Sequence, residues 1–222
     1  MHDDDTFLGS DSLRRFVESI NLNTDVIFSG YVIHDEKSNT NYDKLLSNIG
    51  FQQIKKNPFL LFASNKIGPP SVMLFKKSIS EQFNHRLKWI VDWEFYIRVI
   101  HKYNAEYVYD KLIGVSYNES QITNQCISNP AVEIFESMIF YDLYGDVLFK
   151  NILLFDAWWR LVRNLNIISL NDFAMHTNIP IPVQIKMIIK FQSIFPNELI
   201  RFGVFSKLYM TVCYLYCRAK GY

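Results

Sequence analysis

The sequence is short of most features that mark secreted, membrane-spanning or nucleic-acid-binding chains. Cysteine occurs three times, at Cys126, Cys213 and Cys217, with no CxxC pair and no histidine-rich spacing nearby. Neither a disulfide framework nor a zinc site is expected, and the thiols read as free and structural in a reducing compartment. No apolar run reaches the roughly 18–20 residues that a membrane-spanning helix requires; the longest candidate, residues 208–217, is far too short. The chain opens on His-Asp-Asp-Asp after Met1, not on a basic stretch followed by an apolar one, so a secretory signal is not expected. Net charge is only +1, which gives no field to attract nucleic acid. The pairs Lys55-Lys56 and Lys76-Lys77 read as solvated surface. A cytoplasmic chain is the expectation.

Two catalytic signatures are also missing. The sequence has no glycine-rich phosphate loop and no nucleophile elbow, and its five histidines show no HExxH spacing.

What is present is apolar and aromatic. Hydrophobic residues make up 49% of the chain and aromatics 16%, enough for a large buried core and incompatible with disorder. Ser10 or Asp11 is expected to cap a short helix reaching about Ile20, with Leu13, Phe16, Val17 and Ile20 on one face. Val26-Ile27-Phe28-Ser29-Gly30-Tyr31 reads as a buried strand, and the polar residues 34–44 as a loop. Gly68-Pro69-Pro70-Ser71 makes a rigid turn before a strand at residues 72–75. A helix is expected from about Trp93 to Tyr103, followed by one or two short strands within residues 107–117.

Beyond Pro130 the pattern becomes helical: 130–144, 147–164, 169–176, 182–195 and 197–218, punctuated by Pro180, Pro182 and Pro196. The reading is an α/β portion over residues 1–125 and an α-helical extension over 126–222.

Four groups of residues could carry chemistry. Asp3, Asp4 and Asp5 offer adjacent carboxylates, the ligand type that hard cations such as Mg²⁺ or Mn²⁺ prefer; the alternative is an acidic terminus capping the first helix. Asp92 lies among Trp89, Trp93, Phe95 and Tyr96, a setting suited to a general base; the alternative is an N-cap for the helix that follows. Pro70 and Ser71 could meet a substrate, or merely turn the chain. The polar run from Tyr117 through Asn118 to Asn124 could line a sugar site, or be an ordinary loop.

Taken in order, these motifs resemble family 2 glycosyltransferases. The resemblance runs through His2-Asp3-Asp4-Asp5-Thr6-Phe7-Leu8, Ser10-Asp11-Ser12-Leu13, Val26-Ile27-Phe28-Ser29-Gly30-Tyr31 and Asn65-Lys66-Ile67-Gly68-Pro69-Pro70-Ser71-Val72-Met73-Leu74-Phe75. It is closest at Phe83-Asn84-His85-Arg86-Leu87-Lys88-Trp89-Ile90-Val91-Asp92-Trp93-Glu94-Phe95-Tyr96, and it ends near Asn124. It implies the later part of a glycosyltransferase A-type fold and inversion at the anomeric carbon. Asp4, with Asp3 or Asp5, would hold Mn²⁺ or Mg²⁺ on the donor diphosphate, and Asp92 would deprotonate the acceptor hydroxyl. Pro70, Ser71, Trp89 and Trp93 would shape the acceptor side.

Many relatives place a histidine near the position of Asn118, and this chain has asparagine there. Such enzymes also carry a nucleotide-binding half ahead of the aspartate motif. With that motif at residues 3–5, the half is expected to be missing, leaving exposed sheet edges prone to association. The resulting expectation is transfer of a sugar from a nucleotide-sugar donor to a glycan or lipid-linked acceptor in surface-polysaccharide synthesis. The alternative is a truncated, non-catalytic remnant that binds a partner or a membrane. The C-terminal helix places Val204, Phe205, Leu208, Tyr209, Val212 and Leu215 on one face. That face is expected to pack against the catalytic domain, with peripheral contact on the inner membrane surface as the second reading.

Overall fold

The computed structural model describes residues 1–117 and 122–222, the side chain of Ile122 excepted. The chain forms two compact units: Met1–His85 with Ile90–Asn124, and Arg86–Trp89 with Gln125–Tyr222. The architecture is mixed α/β, with an open five-stranded sheet and many helices.

The first unit is built around β2 (Val26–Asp35), whose residues 26–30 are all buried. Burial of consecutive residues, apolar at Val26, Ile27 and Phe28, fits a strand covered on both faces. On one side β2 pairs in parallel with β5 (Ala105–Tyr117). Its other side is shared by β4 (Met73–Phe75), against residues 26–28, and β3 (Thr40–Lys44), against residues 31–35, both antiparallel. A two-residue strand, β1 (Thr6–Phe7), lines the far side of β5 antiparallel, with Thr6 opposite Gly114.

The β2–β5 register shifts on either side of Gly30. A Cβ at Gly30 would lie 3.0 Å from the carbonyl oxygens of both Asp110 and Lys44, so only glycine lets the neighbouring backbones close in there.

Helices α2 (Asn48–Lys56) and α3 (Leu60–Ala63) follow the hairpin, and α4 (Val91–Lys102) packs its Phe95, Tyr96 and Val99 inward. Phe28 meets Tyr96 and Phe51 edge-on, with ring centroids 5.3 and 6.4 Å apart. Arg98 of α4 binds Glu94 and Glu81 at 2.6 Å each and donates to the Gln82 carbonyl at 2.7 Å, which ties the segment before α4 onto the helix.

Two expectations are corrected in this unit. Residues 34–44 are not a loop throughout: β2 continues to Asp35 and turns into β3. Asp35 Oδ1 accepts from the Lys37 and Ser38 amides, and Asn39 supplies the positive φ of 50° that closes the turn. The β3 side chains are all exposed, so no alternation marked the strand. The first helix, α1 (Ser12–Glu18), buries only Ser12 and Phe16. Leu13, Val17 and Ile20 face solvent, and Asp11 occupies the N-cap without a side-chain capping bond. An Arg15–Asp110 ion pair links α1 to β5.

The second unit is helical. Helix α5 (Ile122–Cys126) leads into α6 (Pro130–Tyr144), capped by the Asn129 side chain with proline in its first turn. Then come α7 (Ile152–Asn164), capped by Asn151, and α8 (Leu170–Ala174), which opens on a Ser169–Asp172 capping box. They are followed by α9 (Val183–Gln192) and α10 (Asn197–Arg201), each preceded by a proline, and α11 (Gly203–Ala219).

Phe140, Phe155, Trp158, Trp159 and Phe173 fill the core of this unit, with Phe149 stacked on Trp158 at 5.3 Å. Glu136, buried on α6, accepts from the Lys88 and Trp89 amides at 2.8–3.1 Å, and Arg86 pairs with Asp142 at 2.9 Å. These bonds draw residues 86–89 into the unit.

Helix α11 turns inward only part of the face its hydrophobicity indicated: Phe205 and Tyr209 pack on Phe195, and Tyr209 also on Trp159. Ser206, Met210, Cys213 and Cys217 are buried, while Val204, Leu208, Val212 and Leu215 are exposed. On the inner face the Trp159 indole of α7 donates to Ser206 Oγ at 3.0 Å. Among the described residues no helix is long and apolar enough to cross a membrane.

Candidate active site

The acidic segment at the start of the chain is held by backbone bonds on two sides. The His2 amide donates to Ser71 Oγ at 2.9 Å, and Ser116 Oγ donates to the Asp4 carbonyl at 3.1 Å. Asp3 and Asp4 are exposed, whereas Asp5 is only 6% exposed. Its Oδ2 is buried with no hydrogen-bond partner. Burial pushes the Asp5 carboxyl above the usual carboxylate range, and the charge of Asp4 adds to the rise; the Ser71 hydroxyl and His2 pull the other way.

Ser71 closes the Gly-Pro-Pro-Ser turn. Gly68 has φ of 116°, and a Cβ there would sit 2.4 Å from Tyr31 Cε1, so the turn needs glycine both for its backbone and for the tyrosine ring packed on it. Pro69 is extended, and Pro70 starts a single 3₁₀ turn over Pro70–Val72.

Asn65 organises the approach to this turn. Its Oδ1 accepts from the Ile67 and Gly68 amides at 3.0 and 3.1 Å, and its Nδ2 donates to the Gly68 carbonyl at 2.9 Å. The same Nδ2 donates to Asp92 Oδ2 at 3.0 Å. The buried Tyr96 hydroxyl adds a second bond to the Gly68 carbonyl at 3.2 Å.

Asp92 is therefore not the N-cap of α4. Ile90 holds that position without a side-chain bond, and Asp92 is the second helical residue, where the positive helix end favours a carboxylate. Its side chain turns to Asn65 instead. The phenols of Tyr31 and Tyr96 both lie in its field. Burial first, then Tyr107 and Asp92, push Tyr31 up to about 12; burial first, then Asp92 and Tyr31, push Tyr96 well above the ordinary tyrosine value. Both therefore stay protonated near neutral pH, and Tyr96 donates its hydroxyl hydrogen to the Gly68 carbonyl.

Beside this cluster the first unit has a cleft of about 320 Å³, bounded by Tyr31, Lys44, Leu46, Ser64, Asn65 and Lys66. A volume of this size suits a small ligand, and the two lysines give its rim positive charge.

The residues expected from sequence are thus distributed unevenly. Asp5, Ser71, Pro70 and Asp92 are brought onto the supports of one turn, while Asp3 and Asp4 stand exposed next to it. Trp93 is half-buried on α4; Trp89 is half-buried and belongs to the second unit. Asn118 lies outside the described residues. Asn65 and Tyr31 are not among the site residues expected from sequence, and Tyr96 is expected only as part of the aromatic setting of Asp92. An asparagine three residues before a glycine-proline turn is a signal of backbone capping that points to Asn65; nothing local distinguishes the two tyrosines from core residues.

Among the described residues no group of three or more His, Cys, Asp or Glu side chains is arranged to hold a metal ion by itself. No protein-family model, curated protein or solved structure matches the chain.

Proposed function

We propose that this chain is an inverting glycosyltransferase of the A-type fold, which moves a sugar from a nucleotide-sugar donor to a glycan or lipid-linked acceptor in surface-polysaccharide synthesis. One observation carries the reading: a single four-residue turn joins two carboxylates of opposite character. At its Ser71 end stands Asp5, buried and with an unpartnered oxygen. At its Gly68 end stands Asp92, oriented by Asn65. A mixed α/β unit with an open sheet is compatible with this assignment.

The donor set fits Mn²⁺ or Mg²⁺. Such ions take one or two protein carboxylates and fill the rest of their shell with phosphate oxygens and water, so a three-residue protein cage is not required. Asp5 would supply the buried oxygen, with Asp4 or Asp3 beside it. When bound, the cation would neutralise charge on the leaving nucleoside diphosphate.

The chain's own residues do the rest. Asp92 accepts the proton of the acceptor hydroxyl while that oxygen attacks the anomeric carbon and the bond to the diphosphate breaks. The Asn65 amide holds Asp92 Oδ2 and so fixes the orientation of the carboxylate. Tyr31 and Tyr96, kept protonated, hold the surroundings of that carboxylate neutral. Lys44 and Lys66 at the cleft rim favour an anionic ligand.

Calorimetric titration with nucleoside diphosphates in Mn²⁺ tests the binding half of the proposal; micromolar, metal-dependent binding is expected, and none would overturn it. For the chemical half, nucleoside-diphosphate release is followed over a set of nucleotide sugars and glycan acceptors. Asp92→Asn should lower turnover by roughly 10²–10⁴-fold, the range for losing a general base. Turnover near the parent level would remove Asp92 from that role.

A further inference from the structure

The outward face of α11 is a continuous apolar stripe. Val204, Leu208, Val212 and Leu215 are spaced along one side of the helix and are 54–67% exposed. The opposite side, with Met210, Cys213 and Cys217, is already buried within the unit. The helix is therefore apolar on both faces, and only one of them has a partner in the fold. Phe202, at the start of the helix, is exposed as well.

Charge says what the open face is suited to meet. Over residues 199–222 there are four basic residues, Arg201, Lys207, Arg218 and Lys220, and no acidic one. On a helical projection Lys207 and Arg218 fall along the same border of the stripe. The helices that pack against α11 within the unit are α7, α9 and α10. These three and α11 together contain seven basic residues against two acidic ones, Asp156 and Glu198. Asp156 is itself engaged by Arg160 at 3.0 Å and Lys207 at 2.6 Å. The chain as a whole is almost neutral, whereas the charged side chains of residues 199–222 are all basic, with Arg218 and Lys220 exposed toward the end of α11.

We propose that α11 docks flat on the surface of an anionic lipid bilayer. Its Val204, Leu208, Val212 and Leu215 side chains would enter the headgroup–acyl boundary, with Arg218 and Lys220 set against lipid phosphates. Large exposed apolar side chains bordered by lysine and arginine are the pattern of a helix lying in the interface plane. The length and polarity of α11 exclude a spanning role for it. A second copy of the chain is a weaker fit, because two such surfaces would bring like charges together. The inference is independent of the catalytic reading.

The test is flotation of the full chain with vesicles of phosphatidylcholine alone and of phosphatidylcholine with phosphatidylglycerol. Binding to the anionic vesicles is expected, weakening as salt is raised. Leu208→Glu combined with Leu215→Glu alters two exposed positions, so the circular-dichroism spectrum should hold while vesicle binding falls roughly tenfold or more. A second pair, Arg218→Glu with Lys220→Glu, leaves the stripe intact and should remove the preference for anionic vesicles. Absence of binding to phosphatidylglycerol vesicles, or binding unchanged in the leucine pair, would overturn the proposal. So would a dimer in sedimentation velocity that the leucine pair dissolves while vesicles bind nothing.

Discussion

The Asn65 side chain is bonded at both ends: Nδ2 donates to Asp92 Oδ2 at 3.0 Å while Oδ1 receives the Ile67 and Gly68 amides. One residue thereby fixes a turn and a helical carboxylate together. A substitution that keeps the acceptor and loses the donor separates the two tasks. Asn65→Asp should cost on the order of 1–3 kcal/mol at neutral pH, because it removes a half-buried donor and places a second carboxylate against Asp92. Two facing carboxylates raise each other's pKa, so the deficit against the parent chain should shrink as pH falls and one of them protonates. Urea denaturation of both chains at neutral and mildly acidic pH reads this directly. An equal deficit at both pH values would show that the lost amide alone matters.

Asp5 supplies a pH dependence of its own. Its folded-state pKa is raised, so its ionised form opposes folding above that pKa, and the penalty disappears as pH falls below the ordinary carboxylate value of 3.8. Asp5→Asn should therefore be more stable than the parent near neutral pH, by on the order of 1 kcal/mol. The advantage should fade in acid. Other carboxylates, such as Asp25 and Asp35, are held below their usual range and lose stability in acid in both chains, so the difference between the two curves is the quantity to follow.

Divalent cation acts on the same carboxylate. Mn²⁺ should raise the melting temperature of the parent chain by mass action and leave that of Asp5→Asn unmoved. A shift of equal size in both would place the ion elsewhere.

Gly68→Ala meets two obstacles at once, a φ of 116° and the Tyr31 ring. The strained backbone alone costs on the order of 1–3 kcal/mol. Combining it with Tyr31→Ala, which empties the space, should recover only the steric part. A double variant as stable as Tyr31→Ala alone would show that the backbone there is not constrained.

The fold was legible in sequence where burial is one-sided or punctuation is strong. The helices of the second unit could be read because asparagine caps, Pro130, Pro182 and Pro196 bound long apolar repeats. Residues 26–28 could be read because a strand covered on both faces opens on three consecutive apolar residues, Val26, Ile27 and Phe28. β3 was invisible, since Thr40, Asn41, Tyr42, Asp43 and Lys44 are all exposed and their place in the sheet comes from pairing with β2 alone. The inward face of α11 misled for a physical reason. The buried set includes Ser206 and two cysteines beside Met210, a less apolar group than the exposed Val204, Leu208, Val212 and Leu215, so hydrophobicity pointed outward. At the site, Asp92 was legible as a residue but not in its setting, because its partner Asn65 lies 27 positions earlier in the chain.

Glu136 has a consequence for how the chain could be divided. The second unit owns four residues that precede α4, and this buried carboxylate holds two of their amides. A fragment beginning at Gln125 would lack residues 86–89 and deprive this buried carboxylate of the Lys88 and Trp89 amides, a loss of about 1–3 kcal/mol for a group so enclosed. The peptide chain passes between the units at three points, after His85, Trp89 and Asn124. The helical half is thus completed by a loan from the middle of the sheet-bearing half, and no single scission yields two intact bodies.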